Sequence, residues 1–87
     1  MTLQPEIREE RERIVLEHMQ SENDLDFERT LRTFKHPRYE LIATGEVYDG
    51  TEEVARYYRE SRAAFPDQRN EMISLHHADE AVIVEFW

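Results

Sequence analysis

The sequence predicts a small α+β domain in which three helices pack on one face of a curved, mostly antiparallel sheet. Two helix-like segments open the chain, and a third, at residues 52–65, separates two pairs of strand-like segments. Turn residues such as Gly45 and Gly50 stand between these segments. Helices on one face of an antiparallel sheet fit this order best, because both kinds of element then bury their apolar sides.

The first two helices are predicted from composition and spacing. Residues 6–20 are rich in helix formers and contain neither Gly nor Pro, and their apolar residues recur at roughly helical spacing. Ser21 to Asp24 then supply a break with several good N-cap residues. The second helix is predicted at residues 24–34 and is ended by Pro37. Its apolar face is formed by Phe27, Thr30, Leu31 and Phe34.

The strands are predicted from alternation between turn residues. Residues 38–44 form the first strand, and residues 46–48 form a short return strand after Gly45. Thr51 is the predicted N-cap of the third helix, and Pro66 ends that helix. Residues 69–77 and 81–87 give the last two strands.

We expect most of the core to come from nine apolar or aromatic residues spread over these elements. They are Phe27, Leu31, Phe34, Val54, Tyr58, Phe65, Leu75, Val82 and Val84.

The last strand is apolar on both faces at residues 81–84, which suits a central strand better than an edge. The sequence stops within this strand, at Trp87. We therefore expect residues 1–87 to form a single domain that is partial, with further C-terminal strands missing. The uncovered edge predicts a homo-oligomer, most simply a homodimer that pairs through the sheet.

Composition narrows the classes of partner. The chain has 11 Lys and Arg against 20 Asp and Glu, for a formal charge of −9, and shows no basic stripe. A surface this acidic argues against nucleic acid and against anionic membranes. There is no run of 18 apolar residues and no signal-peptide pattern, so we expect a cytoplasmic protein.

Metal and cofactor chemistry have little support in the sequence. Without cysteine, the chain has no disulfides, thiolate catalysis or cysteine-ligated metals. No metal-binding spacing of His, Asp or Glu occurs, and two glycines cannot form a phosphate loop. We expect no metal and no cofactor.

Turn and core motifs follow one another in a characteristic order over residues 34–87. These motifs are His36-Pro37, Tyr39-Glu40-Leu41, Gly50, Val54, Tyr58, Phe65-Pro66-Asp67, Ala78-Asp79-Glu80 and Val82-Ile83-Val84-Glu85. In these motifs and their order the segment resembles the SnoaL-like family of the nuclear transport factor two-like superfamily, and the resemblance covers about 50 positions.

The resemblance implies a cone-like fold, in which a curved sheet wraps around a pocket and domains commonly dimerise through the sheet. It also implies a pocket for a small apolar molecule. Members include polyketide cyclases and ketosteroid isomerase-like enzymes. In the cyclases the acid/base Asp and an assisting His lie on strands beyond the one that ends this sequence. We therefore transfer no catalytic residue.

Four residues are candidates to line such a pocket. Tyr58 shares a helix side with Val54, and His36 stands at a corner between helix and strand. His76 and its neighbour His77 point to opposite faces of a strand, so one of them can face the interior. Trp87 completes the set. His18 lies on the charged first helix, where a plain surface role is expected.

Two kinds of function remain open from the sequence. One is a cofactor-free isomerase or cyclase that moves a proton by general acid–base catalysis. The other is a non-catalytic protein that binds a small ligand or acts as a dimerisation module. A fold does not decide between them.

Overall fold

The computed structural model describes residues 4–87 and has the predicted α+β composition, with three helices and two antiparallel sheets of two strands each. No helix in this described part has both the length and the apolarity needed to span a membrane. The elements in chain order are α1 (Pro5–Asn23), α2 (Phe27–Leu31), β1 (Arg38–Leu41), β2 (Glu46–Asp49), α3 (Thr51–Ala64), β3 (Met72–His77) and β4 (Val82–Phe86).

Helix α1 is longer than predicted, because Ser21 does not break it. The Ser21 hydroxyl is fully buried, donates to the carbonyl of His18 at 2.8 Å and lies 2.6 Å from the Thr30 hydroxyl. A serine that bonds back to its own helix can remain within it. These bonds tie the last turns of α1 to α2.

Helix α2 is shorter at both ends than the predicted residues 24–34. Leu25 takes a positive φ of 59° in the turn after α1. The N-cap is therefore Asp26, whose carboxylate accepts from the Arg29 amide at 3.3 Å. At the other end the Phe34 amide bonds to a carbonyl three residues back, that of Leu31, at 3.3 Å. This tighter turn ends the α-helix.

Strands β1 and β2 form a hairpin that packs on α3. In their register Tyr39 faces Tyr48, so both rings lie on the same side of the hairpin. The predicted first strand ran to residue 44, but the amides of Thr44 and Gly45 both donate to the carbonyl of Leu41. Gly45 adopts a positive φ of 75° there, and the strand ends at Leu41.

Helix α3 begins after Gly50, which has a φ of 96° and takes the N-cap position predicted for Thr51. Its inner face buries Val54 and Tyr58. The prediction that Phe65 lies in the core is wrong, because its side chain is 67% exposed. The helix ends at Ala64, and Phe65 follows as the C-cap with φ −134° and ψ 75°, outside the helical conformation, so its side chain leaves the inner face of α3.

Strands β3 and β4 form a second hairpin, with Leu75 opposite Val84 and an irregularity between Met72 and Ser74. Within the described residues this hairpin does not join the sheet of β1 and β2. The single curved sheet predicted from the sequence is therefore not observed.

The core lies between α2, the first hairpin and α3. Tyr48, Val54 and Tyr58 are buried there, with Phe27 and Leu31 packed against them. Val54, Tyr58, Phe27 and Leu31 are thus confirmed as core residues, whereas Tyr48 was not predicted. Leu75, Val82 and Val84 are half-buried in the second hairpin, and Phe34 is half-buried after α2.

Five aromatic rings make up what we call the aromatic centre: Phe27, Tyr39, Tyr48, Tyr57 and Tyr58. Phe27 stacks on Tyr58 with ring centres 4.9 Å apart, and Tyr57 lies 5.0 Å from Tyr48 and 5.2 Å from Tyr39. Such pairs add stability beyond the area that they bury. The aromatic centre fixes α3 on the first hairpin.

Candidate functional site

A cluster of hydrogen-bonded side chains lies beside the aromatic centre. Its centre is the carboxylate of Glu22, in the last turn of α1 and 12% exposed. This carboxylate lies 2.9 Å from His18 Nε2, accepts from Asn70 Nδ2 at 2.6 Å and from the Tyr39 hydroxyl at 3.2 Å. Arg62 Nη2 lies 3.6 Å from it. With Tyr58, these residues are the polar cluster.

Helical spacing and strand alternation bring the cluster together. His18 and Glu22 are four residues apart on α1, and Tyr58 and Arg62 are four apart on α3, so each pair shares a helix face. Tyr39 projects from β1 on the face that packs on α3.

Asn70 belongs to the loop before β3 and is fixed by Asn23 at the end of α1. The side-chain Nδ2 of Asn23 donates to the backbone carbonyl of Asn70 at 2.9 Å, and the backbone amide of Asn70 donates to Asn23 Oδ1 at 2.6 Å. This reciprocal pair gives the loop a defined position. It therefore orients the Asn70 side chain toward Glu22.

Two phenols meet in the cluster, with the hydroxyls of Tyr39 and Tyr58 at 2.8 Å. Burial raises the pKa of both, and for Tyr39 the hydrogen bond with Tyr58 and the nearby Glu22 charge raise it further. Both phenols therefore stay protonated at neutral pH. They act as hydrogen-bond donors and not as bases.

Glu22 is held in its ionised form. Burial alone would raise the pKa of its carboxyl, but the hydrogen bond and charge of His18, with smaller contributions from Arg62 and Asn70, outweigh burial and lower it. The cluster thus contains a carboxylate whose acceptor positions are already used by protein donors.

His18 is not the plain surface residue that the sequence predicted. Its Nδ1 lies 2.7 Å from the Thr33 hydroxyl and its Nε2 lies 3.1 Å from the Tyr39 hydroxyl. The ring also packs edge-on against Phe34, with centres 5.1 Å apart. These contacts hold the imidazole in place between α1 and the segment after α2.

A small pocket opens beside the cluster, with a volume of about 110 Å³. We call it the polar pocket. Its lining includes Glu22, Tyr39, Tyr58, Arg62 and Asn70, together with Phe86 of β4.

A second depression, the apolar groove, lies between α1, the segment after α2 and β4, with a volume of about 270 Å³. Apart from His18 and Thr33, its lining is apolar. The apolar residues are Ile14, Val15, Met19, Phe34, Val84 and Phe86. Because Phe86 lines both the groove and the polar pocket, the two are neighbours.

The four site residues predicted from sequence do not lie together. Tyr58 is 1% exposed and belongs to the polar cluster. His36 is exposed and bonds to the Asp49 carboxylate, and His76 is exposed on β3 opposite Ile83. Trp87 is 81% exposed.

Sequence reasoning missed Glu22, His18, Arg62 and Asn70. The spacing of His18 with Glu22 and of Tyr58 with Arg62 was a readable signal, because residues four apart on a helix are neighbours. Nothing local marks Asn70, since Asn23 positions it across 47 residues of chain.

Comparison of this chain with protein family models, with curated proteins and with solved structures gives no match.

Proposed function

We propose that this chain is a SnoaL-like domain that binds a small, mainly apolar molecule in the apolar groove. The observation that supports this most directly is the groove itself. Apolar side chains of helix α1, of strand β4 and of Phe34 line it. Small-molecule sites are concave and mostly apolar, with a few polar groups.

The size of the groove limits the ligand. Its volume of about 270 Å³ lies just below the roughly 300–1,000 Å³ of typical small-molecule sites. Only His18 and Thr33 give it polar character, and they bond to each other. The ligand we propose is therefore compact and uncharged where it meets the groove.

The state of the polar cluster favours binding over general acid–base catalysis. A base that works at neutral pH needs a pKa near the operating pH. The Glu22 pKa is instead lowered, chiefly by His18 against the effect of burial, and the phenol pKa values are raised by burial. The two ring nitrogens of His18 are already in contact with protein groups, Nδ1 with Thr33 and Nε2 with Tyr39 and Glu22. Ligand binding without proton transfer is thus the form of the function that we favour.

The family proposal extends to the cone-like fold. Its support is the element order, in which two helices, a hairpin, a third helix and a second hairpin follow one another as the resemblance implies. In a cone the two hairpins would belong to one curved sheet. Backbone contacts between the hairpins, measured by nuclear Overhauser effects, would support that arrangement, and their absence would count against it.

The ligand proposal is tested by titrating the protein with methylenecyclohexane, a compact neutral hydrocarbon, and following amide chemical shifts. We expect shifts centred on Val15, Met19 and Val84. Ile14→Gln replaces an apolar lining residue and should weaken binding severalfold, because apolar contact area is lost.

Leu16→Gln is the matched control. Leu16 lies on α1 and is 55% exposed, close to the 40% of Ile14, but it lines a different part of the surface. Equal weakening by both variants, or shifts spread over the whole surface, would refute the groove as the binding site.

A second candidate function is self-association through the second hairpin. Its support is the apolar surface that this hairpin exposes, with Ile83 at 63%, Phe86 at 53% and Trp87 at 81%. Each aromatic side chain buries about 150–250 Å² when it packs. At about 25 cal/mol per Å², covering two of them contributes several kcal/mol to association.

Sedimentation over a range of concentrations tests this candidate. We expect a homodimer that Ile83→Glu converts to monomer, because the substitution removes an exposed apolar side chain and adds a charge at the contact. Ile42→Glu is the control, since Ile42 is 85% exposed in the turn of the first hairpin. A wild-type monomer at high micromolar concentration would rule the dimer out.

A further inference from the structure

The second hairpin lies along helix α1 and is held to it by polar contacts near both of its ends. At the turn between its strands, the Arg11 guanidinium donates to the carbonyls of Ala78 and Asp79. Near its other end, Asn23 and Asn70 form their reciprocal pair. Arg11 and Asn23 are roughly 18 Å apart along α1, at a rise of about 1.5 Å per residue. The two attachments therefore leave a long stretch of helix between them.

The apolar groove occupies this stretch. Its α1 side chains, from Ile14 to Met19, come between the two attachments in the sequence, and β4 contributes Val84 and Phe86. Ile14 is 40% exposed and Phe86 is 53% exposed. Helix and strand therefore turn apolar side chains toward a space of about 270 Å³ without burying them fully against each other.

The second hairpin depends on α1 for its stability. Within residues 4–87, β3 and β4 form a two-stranded sheet of their own. Such a hairpin is at best marginally stable in water when nothing packs on it. The polar contacts near its ends contribute less than buried apolar area would. A molecule that fills the groove would add the apolar packing between α1 and β4.

We infer that the ligand in the apolar groove holds the second hairpin against α1, so that the hairpin is a movable part of the binding site. The inference rests on the proposed function, which places a compact apolar molecule there. Such a molecule contacts side chains of both α1 and β4. When the hairpin leaves α1, Val84 and Phe86 leave with it and the site is lost. The ligand therefore binds only the closed form and stabilises it.

Amide hydrogen exchange with and without methylenecyclohexane tests this inference. The slowest amides of β3 and β4 report on the hairpin, and the Tyr58 amide in α3 reports on complete unfolding. Without ligand, the hairpin amides should exchange faster than Tyr58, because the hairpin opens first. Complete unfolding also destroys the groove. With ligand at about ten times its dissociation constant, both sets of amides should therefore slow by the same factor, about elevenfold.

The outcomes separate this inference from the groove proposal. If Tyr58 slows and the hairpin amides do not, the ligand binds but the hairpin opens without loss of the site, and the inference is wrong. If the hairpin amides already exchange as slowly as Tyr58 without ligand, the hairpin does not move separately and the inference is wrong. If no amide slows at any ligand concentration, the proposed function fails and this inference with it.

A side chain that fills the groove should act as the ligand does. Ile14→Phe enlarges a lining residue and should slow exchange of the hairpin amides severalfold without ligand, while weakening methylenecyclohexane binding because the ring takes part of the space. Leu16→Phe is the control, since Leu16 lies on α1 outside the groove, and it should change neither property. Unchanged hairpin exchange in an Ile14→Phe protein that no longer binds the ligand would contradict the inference.

Discussion

The aromatic centre and the second hairpin are both rich in large apolar side chains, but they place them differently. In the aromatic centre, rings from α2, the first hairpin and α3 contact one another, and Tyr58 is 1% exposed. In the second hairpin, Ile83 and Trp87 remain mostly in solvent. The first region is held by packing from three directions. The second packs on one side only.

Polar contacts carry much of the attachment of the second hairpin. The Arg11 guanidinium donates to the carbonyls of Ala78 at 2.6 Å and Asp79 at 2.7 Å, in the turn between β3 and β4. The Asn23–Asn70 pair fixes the loop before β3. Exposed polar contacts contribute less than buried apolar area. We therefore expect the hairpin to open at a lower free energy than the aromatic centre.

The largest effect is expected in the aromatic centre. Tyr58→Ala removes the ring that stacks on Phe27 and should lower the free energy of unfolding by about 3–5 kcal/mol, as for other buried aromatic residues. Phe65→Ala should change it by less than about 0.5 kcal/mol, because that ring is 67% exposed. Urea unfolding measures both. Similar losses in the two variants would show that the core is misassigned.

The next effect concerns Glu22, which joins the aromatic centre to the loop before the second hairpin. Its folded pKa is lowered from an ordinary value of 4.5, as burial is outweighed by His18, Arg62 and Asn70. A carboxyl group whose pKa is lower in the folded than in the unfolded protein stabilises the folded state at pH values above its unfolded pKa. This contribution is lost as the pH falls through the folded pKa. Glu22→Gln should therefore cost about 1–3 kcal/mol at pH 7.

The pH profile separates this contribution from simple packing loss. Stability measured from pH 7 to pH 3 should fall less steeply in Glu22→Gln than in the wild type. Some slope should remain, since hydrogen bonds to Arg29 and Gln20 also lower the pKa values of Glu17 and Asp24 respectively. Parallel wild-type and Glu22→Gln curves would contradict the role assigned to the carboxylate.

The contrast between the two regions also explains what the sequence could predict. Helix periodicity identified Val54 and Tyr58 as core residues, because burial on α3 follows from spacing alone. It failed at Phe65, because the end of a helix decides where the next side chain points. The two hairpins were predicted as elements, but no local pattern specifies whether they join in one sheet.

The polar cluster was harder still to predict from the sequence, again because no local pattern specifies which elements come into contact. Its members come from α1, β1, α3 and a loop, so tertiary packing assembles it. Charged and polar residues on α1 predict a solvated face when read alone. Only the position of β1 against α1 shows that His18 and Glu22 face Tyr39.

The smallest effect is expected from Arg11→Ala, which removes the bonds to the turn of the second hairpin. Because these bonds are exposed, their loss should cost about 1 kcal/mol or less. If the hairpin opens as a separate unit, amide exchange at Leu75 and Val84 should accelerate up to about fivefold, while exchange at Tyr58 stays unchanged. Arg8→Ala, at an exposed position one turn earlier on α1, should alter neither rate. Equal acceleration at Tyr58 would mean that the second hairpin and the aromatic centre unfold together. The aromatic centre, packed from three directions, would then be no more stable than the hairpin, which packs on one side.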